Sequence, residues 1–318
     1  MEIVVSAIML IVGFVMLVKG ADWFVSGASD IAVKFDVSRL VIGLTVVAMG
    51  TSLPEAAISI SAAFKGSAGI AIGNIIGSNI MNIALILGLS ALITPLAVQQ
   101  VTRKYDIPIV ISSTVVLAVL GLMDNMISRF EGVVMLALFA AYLMYTFKVV
   151  AAAAEPPEEP VEKRNRATSF VILITVIGAA GIALGANFSV DGATGIARAF
   201  GISEDIIGLT IVAFGTSLPE LVTSVTAARR NETDIAVGNI VGSNIFNILF
   251  VIGTAAAIHP IPYGSGFLRD SIVCIGIPVL LWVLVAGKSS TLKRWGGGVL
   301  LVTYAAYFVL FNLGLFRL

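Results

Sequence analysis

The 318-residue chain has one cysteine, Cys274, and one histidine, His259. A single thiol excludes an internal disulfide, and a single imidazole excludes a histidine cluster, so zinc and haem chemistry lack a ligand set. Charge is scarce as well. There are 19 basic and 19 acidic residues, together 12% of the chain, with a formal net charge of zero. A soluble domain carries about 25%. No basic face is available for nucleic acid, and no Ser–His, Cys–His or paired-Asp arrangement is available for an intramembrane enzyme. Apolar residues dominate instead, at 58% of the chain with a mean hydropathy of +1.04. The composition is that of an integral membrane protein.

The N-terminal MEIVVSAIMLIVGFVMLVKG has no basic leader and no A-x-A site, so it is expected to be a retained first span. Apolar runs long enough to cross a bilayer, about 17–25 residues, fall at 3–19, 40–64, 70–94, 107–123, 130–150, 168–186, 205–228, 235–258, 270–287 and 296–315. Cys274 is expected to be a small lipid- or bundle-facing residue, and His259, beside Pro260, lies at a span end in the interface. The charged, proline-bearing stretch AEPPEEPVEKRNRAT (154–168) is the one linker. It divides the chain into residues 1–150, a cytoplasmic connector at 151–167, and residues 168–318.

The two halves repeat each other. GLTVVAMGTSLPE (43–55) returns as GLTIVAFGTSLPE (208–220), and GNIIGSNIMNI (73–83) returns as GNIVGSNIFNI (238–248), both offset by 165 residues. Gly13, Gly20, Gly27 and Ala28 recur at the same offset as Gly178, Gly185, Gly192 and Ala193. Five spans per half is odd, so the second half enters the membrane from the opposite side, the inverted-repeat pattern of many transporters. Basic residues test the count. With both termini outside, Lys19, Lys34, Arg39, Arg103, Lys104, Lys148, Lys163, Arg164, Arg166, Arg229, Arg230, Lys288, Lys293 and Arg294 fall inside, against Lys65, Arg129, Arg198, Arg269 and Arg317 outside. No basic residue is left in the interior of a span; Lys19 and Lys148 fall at span ends. The expectation is an all-α polytopic membrane protein of ten transmembrane helices, built as two inverted five-helix repeats with helices broken at mid-membrane.

Only two acids, Glu55 and Glu220, fall well inside a span. A mid-span acid is unfavourable by roughly 2.5–3.5 kcal/mol on insertion scales, and such groups mark function. Two facing acids repel unless a cation sits between them. Pro54 and Pro219 break their helices and are expected to free carbonyls near Ala48 and Ala213. Thr51 and Ser52 lie four and three residues before Glu55, on its helical face, as Thr216 and Ser217 do for Glu220. Ser78 and Asn82 are one turn apart, with Asn74 one turn earlier, and Ser243 and Asn247 repeat the arrangement. The paired G-x-x-x-G glycines, Gly73/Gly77 and Gly238/Gly242, are read as helix-packing positions that bring Asn82 toward Glu55. Such an oxygen-only cage suits Ca²⁺ or several Na⁺ over Mg²⁺.

At these motifs the chain resembles the Ca²⁺/cation antiporter superfamily, and within it the Na⁺/Ca²⁺ exchanger branch of prokaryotic type. The resemblance spans nearly the whole chain. It implicates Ala48, Thr51, Ser52, Glu55, Ser78 and Asn82 in one half and Ala213, Thr216, Ser217, Glu220, Ser243 and Asn247 in the other. The glutamates would bind Ca²⁺, and the hydroxyls and alanine carbonyls would form flanking Na⁺ sites. It implies Na⁺/Ca²⁺ antiport by alternating access in the cell membrane, without a cofactor and with no obligate protein partner. Asn247, where some relatives carry Asp, argues against K⁺ co-transport, and GTSLPE fits the H⁺/Ca²⁺ branch poorly. A cation channel using the same acids as a selectivity ring is the competing class. The first and sixth spans, rich in glycine and free of buried acids, are read as the element that slides over the core.

Overall fold

Without water to bond, a backbone in lipid must satisfy its own polar groups, and this chain does so with helices. The structure is a computed structural model that describes residues 2–150, 152, 166–201, 213–287 and 289–312. Its helices are α1 (Glu2–Lys34), α2 (Arg39–Thr51), α3 (Leu53–Phe64), α4 (Gly69–Ile93), α5 (Thr102–Asp124), α6 (Arg129–Val150), α7 (Thr168–Ala199), α8 (Ala213–Thr216), α9 (Leu218–Arg229), α10 (Thr233–Ile258), α11 (Ser265–Leu284) and α12 (Arg294–Asn312). Among the described residues, seven helices are long and apolar enough to cross a membrane, and the bent pair α2–α3 makes an eighth candidate. The expected span 205–228 begins outside the described residues, as do most of the linker and the last residues of span 296–315.

Burial separates centre from rim. In α10, 94% of the apolar window is buried within the protein, and in α4 78%, against 17% in α1. Helices α4 and α10, which carry the second repeated motif, therefore form the middle of the bundle. At the rim, α1 and α7 run antiparallel in close contact. A Cβ on Gly20 would stand 2.7 Å from Ile182 N, and one on Gly178 2.5 Å from Phe24 N. Only hydrogen fits there. The heptad-spaced glycines thus bring two backbones together.

Two boundaries differ from expectation. The first span does not stop at residue 19 but continues to Lys34, and the sixth continues from 186 to Ala199. At 1.5 Å per residue each is about 50 Å long, well beyond the roughly 30 Å hydrocarbon core. Lys19, exposed, lies inside α1 rather than in a loop. Hydropathy falls after Val18, but the helix persists because its polar continuation finds partners. Ser29 Oγ donates to Glu232 (3.0 Å), Asp22 pairs with Arg230 (2.9 Å), and Asp30 pairs with Arg166 (3.1 Å).

The fold is also not purely helical. Leu96–Ala97 pairs antiparallel with Thr291–Leu292, and Met126–Ile127 pairs antiparallel with Ile261–Pro262. Each strand recurs 165 residues later, and each pairs with the non-equivalent strand of the other half. Cys274 is buried in the bundle, and His259 is exposed at the end of α10.

Candidate cation site

A proline break positions each acid. Pro54 has no N–H for the carbonyl four residues back, Gly50. Helix α2 ends at Thr51, Ser52 turns with φ −83° and ψ 8°, and α3 sets off at 50° to α2. Pro54 then occupies the first turn of α3, where a missing N–H is harmless, and Glu55 shares that turn, where the helix dipole favours a negative charge. The second half does the same. Helix α8 ends at Thr216, Ser217 turns with φ −90° and ψ 4°, and Pro219 and Glu220 open α9. Both glutamates are 0% exposed.

The expectation that Ser52 serves Glu55 along one helical face is not met. Ser52 Oγ donates to Glu220 Oε1 at 2.7 Å, and Ser217 Oγ donates to Glu55 Oε1 at 3.3 Å. The non-helical turn at each serine swings its hydroxyl away from its own acid and across to the other half. Ser78 Oγ also donates to Glu55 Oε1, at 3.2 Å, and stands 3.1 Å from Ser217 Oγ. Each carboxylate is therefore held by a serine of the other half.

Nor is the carbonyl of Ala48 free. It accepts Ser52 N–H (3.1 Å), Thr51 Oγ1 (3.3 Å) and Ser243 Oγ (3.3 Å). Proline removes the donor owed to Gly50, two residues further on, so Ala48 keeps its helical partner. In the second half Ser217 N–H donates to Phe214 O (3.2 Å). Thr216 is buried beside the break.

A pair of asparagines outside the expected set holds α4 to α10. Asn79 Nδ2 donates to Asn244 O (3.1 Å), and Asn244 Nδ2 donates to Asn79 O (3.2 Å). Each also accepts a hydrogen bond from the partner half: Asn82 Nδ2 donates to Asn244 Oδ1 (3.0 Å) and Asn247 Nδ2 to Asn79 Oδ1 (3.1 Å). Both amide NH₂ groups of Asn82 and Asn247 are thereby turned away from the site. Behind them, Asn74 bonds Ser59 (3.0 Å), and Asn239 bonds Ser224 (2.9 Å) while accepting from Thr51 (3.0 Å). All of these recur at the 165-residue offset, so the repeat itself was the signal for Asn79, Asn244, Ser59 and Ser224. Asn82 opens a π-helical turn, Asn82–Leu87, and Asn247 lies in another, Phe246–Ile252. Such widened turns are frequent at functional sites.

One group of atoms is left over. Glu55 Oε2, Glu220 Oε2, Asn82 Oδ1 and Asn247 Oδ1 are all buried and accept no hydrogen bond. Among the described residues no three acid, histidine or cysteine side chains cluster, so these two carboxylates carry the site's charge. A small open-sided crevice reaches the breaks from the rim, between Phe24 of α1, Ala179, Ile182 and Ala183 of α7, and Gly50, Thr51, Pro54 and Pro219. The glycines expected to pack do so in the second half: Gly238 lies against Gly43 and Leu44, and Gly242 against Leu44 and Ala48. The equivalent partners of Gly73 and Gly77 fall in residues 208–213, largely outside the described residues.

The chain is similar to known proteins over nearly its whole length. The model of the family described as sodium/calcium exchanger protein matches the chain twice, over residues 5–148 and 170–313. An uncharacterized membrane protein of Methanocaldococcus jannaschii is 42% identical, over 92% of this chain and 94% of that one. The sodium/calcium exchanger MaX1 of Methanosarcina acetivorans is 34% identical, over 96% and 98%. The solved structure of the sodium-calcium exchanger NCX_Mj soaked with 10 mM Na⁺ and zero Ca²⁺ superposes with a TM-score of 0.85 at 39% identity, over 96% of this chain and 99% of that one. The chain belongs to the sodium/calcium exchanger family, whose members are cation antiporters and not enzymes.

Proposed function

We propose that the protein exchanges Na⁺ for Ca²⁺ by alternating access at one site formed by Glu55 and Glu220. The observation that carries this reading is the set of four orphaned oxygens, two carboxylate and two amide, supplied equally by the two halves. Leaving a buried acceptor unpaired is unfavourable by about 1–3 kcal/mol, and more when it is charged; a cation removes that penalty at all four at once. Ca²⁺ takes about 6–8 oxygens at 2.3–2.6 Å. Glu55, Glu220, Asn82 and Asn247 supply the orphaned ones, with Ser52, Ser78, Ser217, Ser243, Thr51 and Thr216 beside them. Ala48 is a ligand only in a state where its hydroxyl donors have rotated away, and Ala213 is its counterpart.

Two carboxylates are neutralised by one Ca²⁺ or by two Na⁺, with a third Na⁺ on neutral oxygens. Because both loads need the same oxygens, they exclude each other, and the fluxes are coupled. Exchange of three Na⁺ for one Ca²⁺ moves one net charge, worth about 2.3 kcal/mol per 100 mV. In this reading the chain has ten spans, residues 1–150 and 168–318 are inverted five-helix repeats, and both termini face outward. The exchanged partners of the asparagine and strand pairs support the inversion, as does the double match of the family model. Helices α1 and α7, locked together by their glycines, move as one body over the core.

The test is Ca²⁺ uptake into liposomes with Na⁺, K⁺ and H⁺ gradients imposed separately. Uptake that requires an opposing Na⁺ gradient supports exchange. Uptake driven only by H⁺, or only with K⁺ present, points to the related antiport modes, and uptake with no counter-gradient points to a channel.

A further inference from the structure

We propose that Asn239, held by Ser224, is a positioning residue of the exchange site: its amide oxygen takes the Thr51 proton and so leaves Thr51 Oγ1 and Ala48 O open to a cation. The inference rests on the antiport reading above. All three side chains are buried, Thr51 at 2% exposure and Asn239 and Ser224 at 0%. A hydroxyl has one proton to donate and two lone pairs. Thr51 Oγ1 has more acceptors around it than protons to give. Asn239 Oδ1 is at 3.0 Å and Ala48 O at 3.3 Å, and the Glu220 carboxylate competes for the same proton. A hydroxyl that binds a cation must turn a lone pair to the ion and its proton elsewhere. Ala48 and Glu220 are themselves candidate ligands, so a proton directed at either is set against the cation. Asn239 is the acceptor that takes the proton without occupying a candidate ligand.

Asn239 can accept only with its amide the right way round, and Ser224 sets that. Asn239 Nδ2 donates to Ser224 Oγ at 2.9 Å. Such partners are what orient an amide, and the duplicated residue supports the same orientation. Asn74 Nδ2 donates to Ser59 Oγ (3.0 Å) and also faces Glu55 O (3.4 Å), a carbonyl that only a donor can meet. Ser59 and Ser224 each lie one turn after the glutamate of their half, and Asn74 and Asn239 one turn before Ser78 and Ser243. The relay crosses between halves: Thr51 closes α2, whereas Ser224 is on α9 and Asn239 on α10. It also supplies what the Ala48 carbonyl needs. That oxygen accepts from Ser52 N–H and from the hydroxyls of Thr51 and Ser243. Giving the Thr51 proton wholly to Asn239 removes one of its two hydroxyl donors.

The test is binding of radiolabelled Ca²⁺ to the purified full chain in detergent, and its displacement by Na⁺. Thr51→Val and Asn239→Leu should each raise the half-displacing Na⁺ concentration severalfold and by the same factor. The Ca²⁺ half-saturation should move less, because the carboxylates hold that ion while the freed oxygens are neutral. The double variant should be no worse than either single one, since Asn239 acts only through Thr51. Ser224→Ala, which lets the amide turn over, should give a smaller rise that vanishes in the Thr51→Val background, and it keeps the proposal testable if Asn239→Leu folds poorly. Additive effects of Thr51→Val with Asn239→Leu or Ser224→Ala would overturn the proposal, because a purely structural role adds. So would an equal loss for both ions, or no shift in Thr51→Val. Glu55→Gln and Glu220→Gln run alongside. If both bind Ca²⁺ normally, the site reading itself fails; if both lose Ca²⁺ while the pairs above are additive, only the relay fails.

Discussion

Glu55 and Glu220 stand at equivalent places in the two halves, yet they are held differently. Glu220 Oε1 takes one short bond from Ser52, at 2.7 Å, while Glu55 Oε1 takes two longer ones, from Ser78 and Ser217, at 3.2 and 3.3 Å. Ser243, the counterpart of Ser78, turns to the carbonyl of Ala48 instead. The asparagine seam behaves in the opposite way. Its two Nδ2-to-backbone bonds measure 3.1 and 3.2 Å, and its two amide–amide bonds 3.0 and 3.1 Å. Duplication supplied equal parts to both layers. The seam uses them equally and reads as a fixed frame; the serine–acid layer uses them unequally and reads as the part that rearranges between states.

The largest expected effect tests whether both acids matter despite this inequality. Glu55→Gln and Glu220→Gln should each lower Na⁺-driven Ca²⁺ uptake about 100-fold or more, since removing one member of a buried charged set is worth about 3–5 kcal/mol. Membrane insertion should be normal, and full uptake in either variant would remove that acid from the site. Next come the bridging serines. Ser52→Ala should raise the half-saturating Ca²⁺ concentration about tenfold, because hydrogen bonds to charged groups contribute about 1.5–3 kcal/mol. Ser217→Ala should do less, since Ser78 still serves Glu55; equal effects would make the asymmetry unimportant.

For the frame, equality is the prediction. Asn79→Ala and Asn244→Ala each strand buried groups, a loss of about 1–3 kcal/mol, and should lower the unfolding temperature by similar amounts. A one-sided loss would show that the seam is not a matched pair. Asn247→Asp adds a third carboxylate and should change the relative effects of Na⁺, K⁺ and pH on uptake; an unaltered profile would show that the position is not a ligand. The smallest effect belongs to the surface. Arg230→Gln removes a half-exposed pair with Asp22, and such pairs contribute about 0–1 kcal/mol, so thermal stability should barely move.

Much of this was legible in the chain. Apolar runs located most of the long apolar helices, and two acids in apolar context located the candidate site, because both follow from the energetics of lipid. The repeat named Asn79 and Asn244 as plainly as Ser78 and Asn82, but their role depends on a partner in the other half. What misled was local reasoning carried across a break. Helical spacing assigned Ser52 to Glu55, and the φ and ψ of a single residue reassigned it to Glu220. Hydropathy ended α1 at residue 19, while contacts with Glu232, Arg230 and Arg166 carried it to Lys34.

By itself the sequence determined membrane residence, the duplication, the two acids and the prolines that would break their helices, because each rests on transfer energy or on covalent geometry. Only the tertiary structure decided which hydroxyl meets which carboxylate, that the carbonyl of Ala48 is occupied, and that one carboxylate oxygen of each glutamate and the amide oxygens of Asn82 and Asn247 remain without donors. Those outcomes depend on how two halves 165 residues apart pack against each other, and no local pattern encodes that distance.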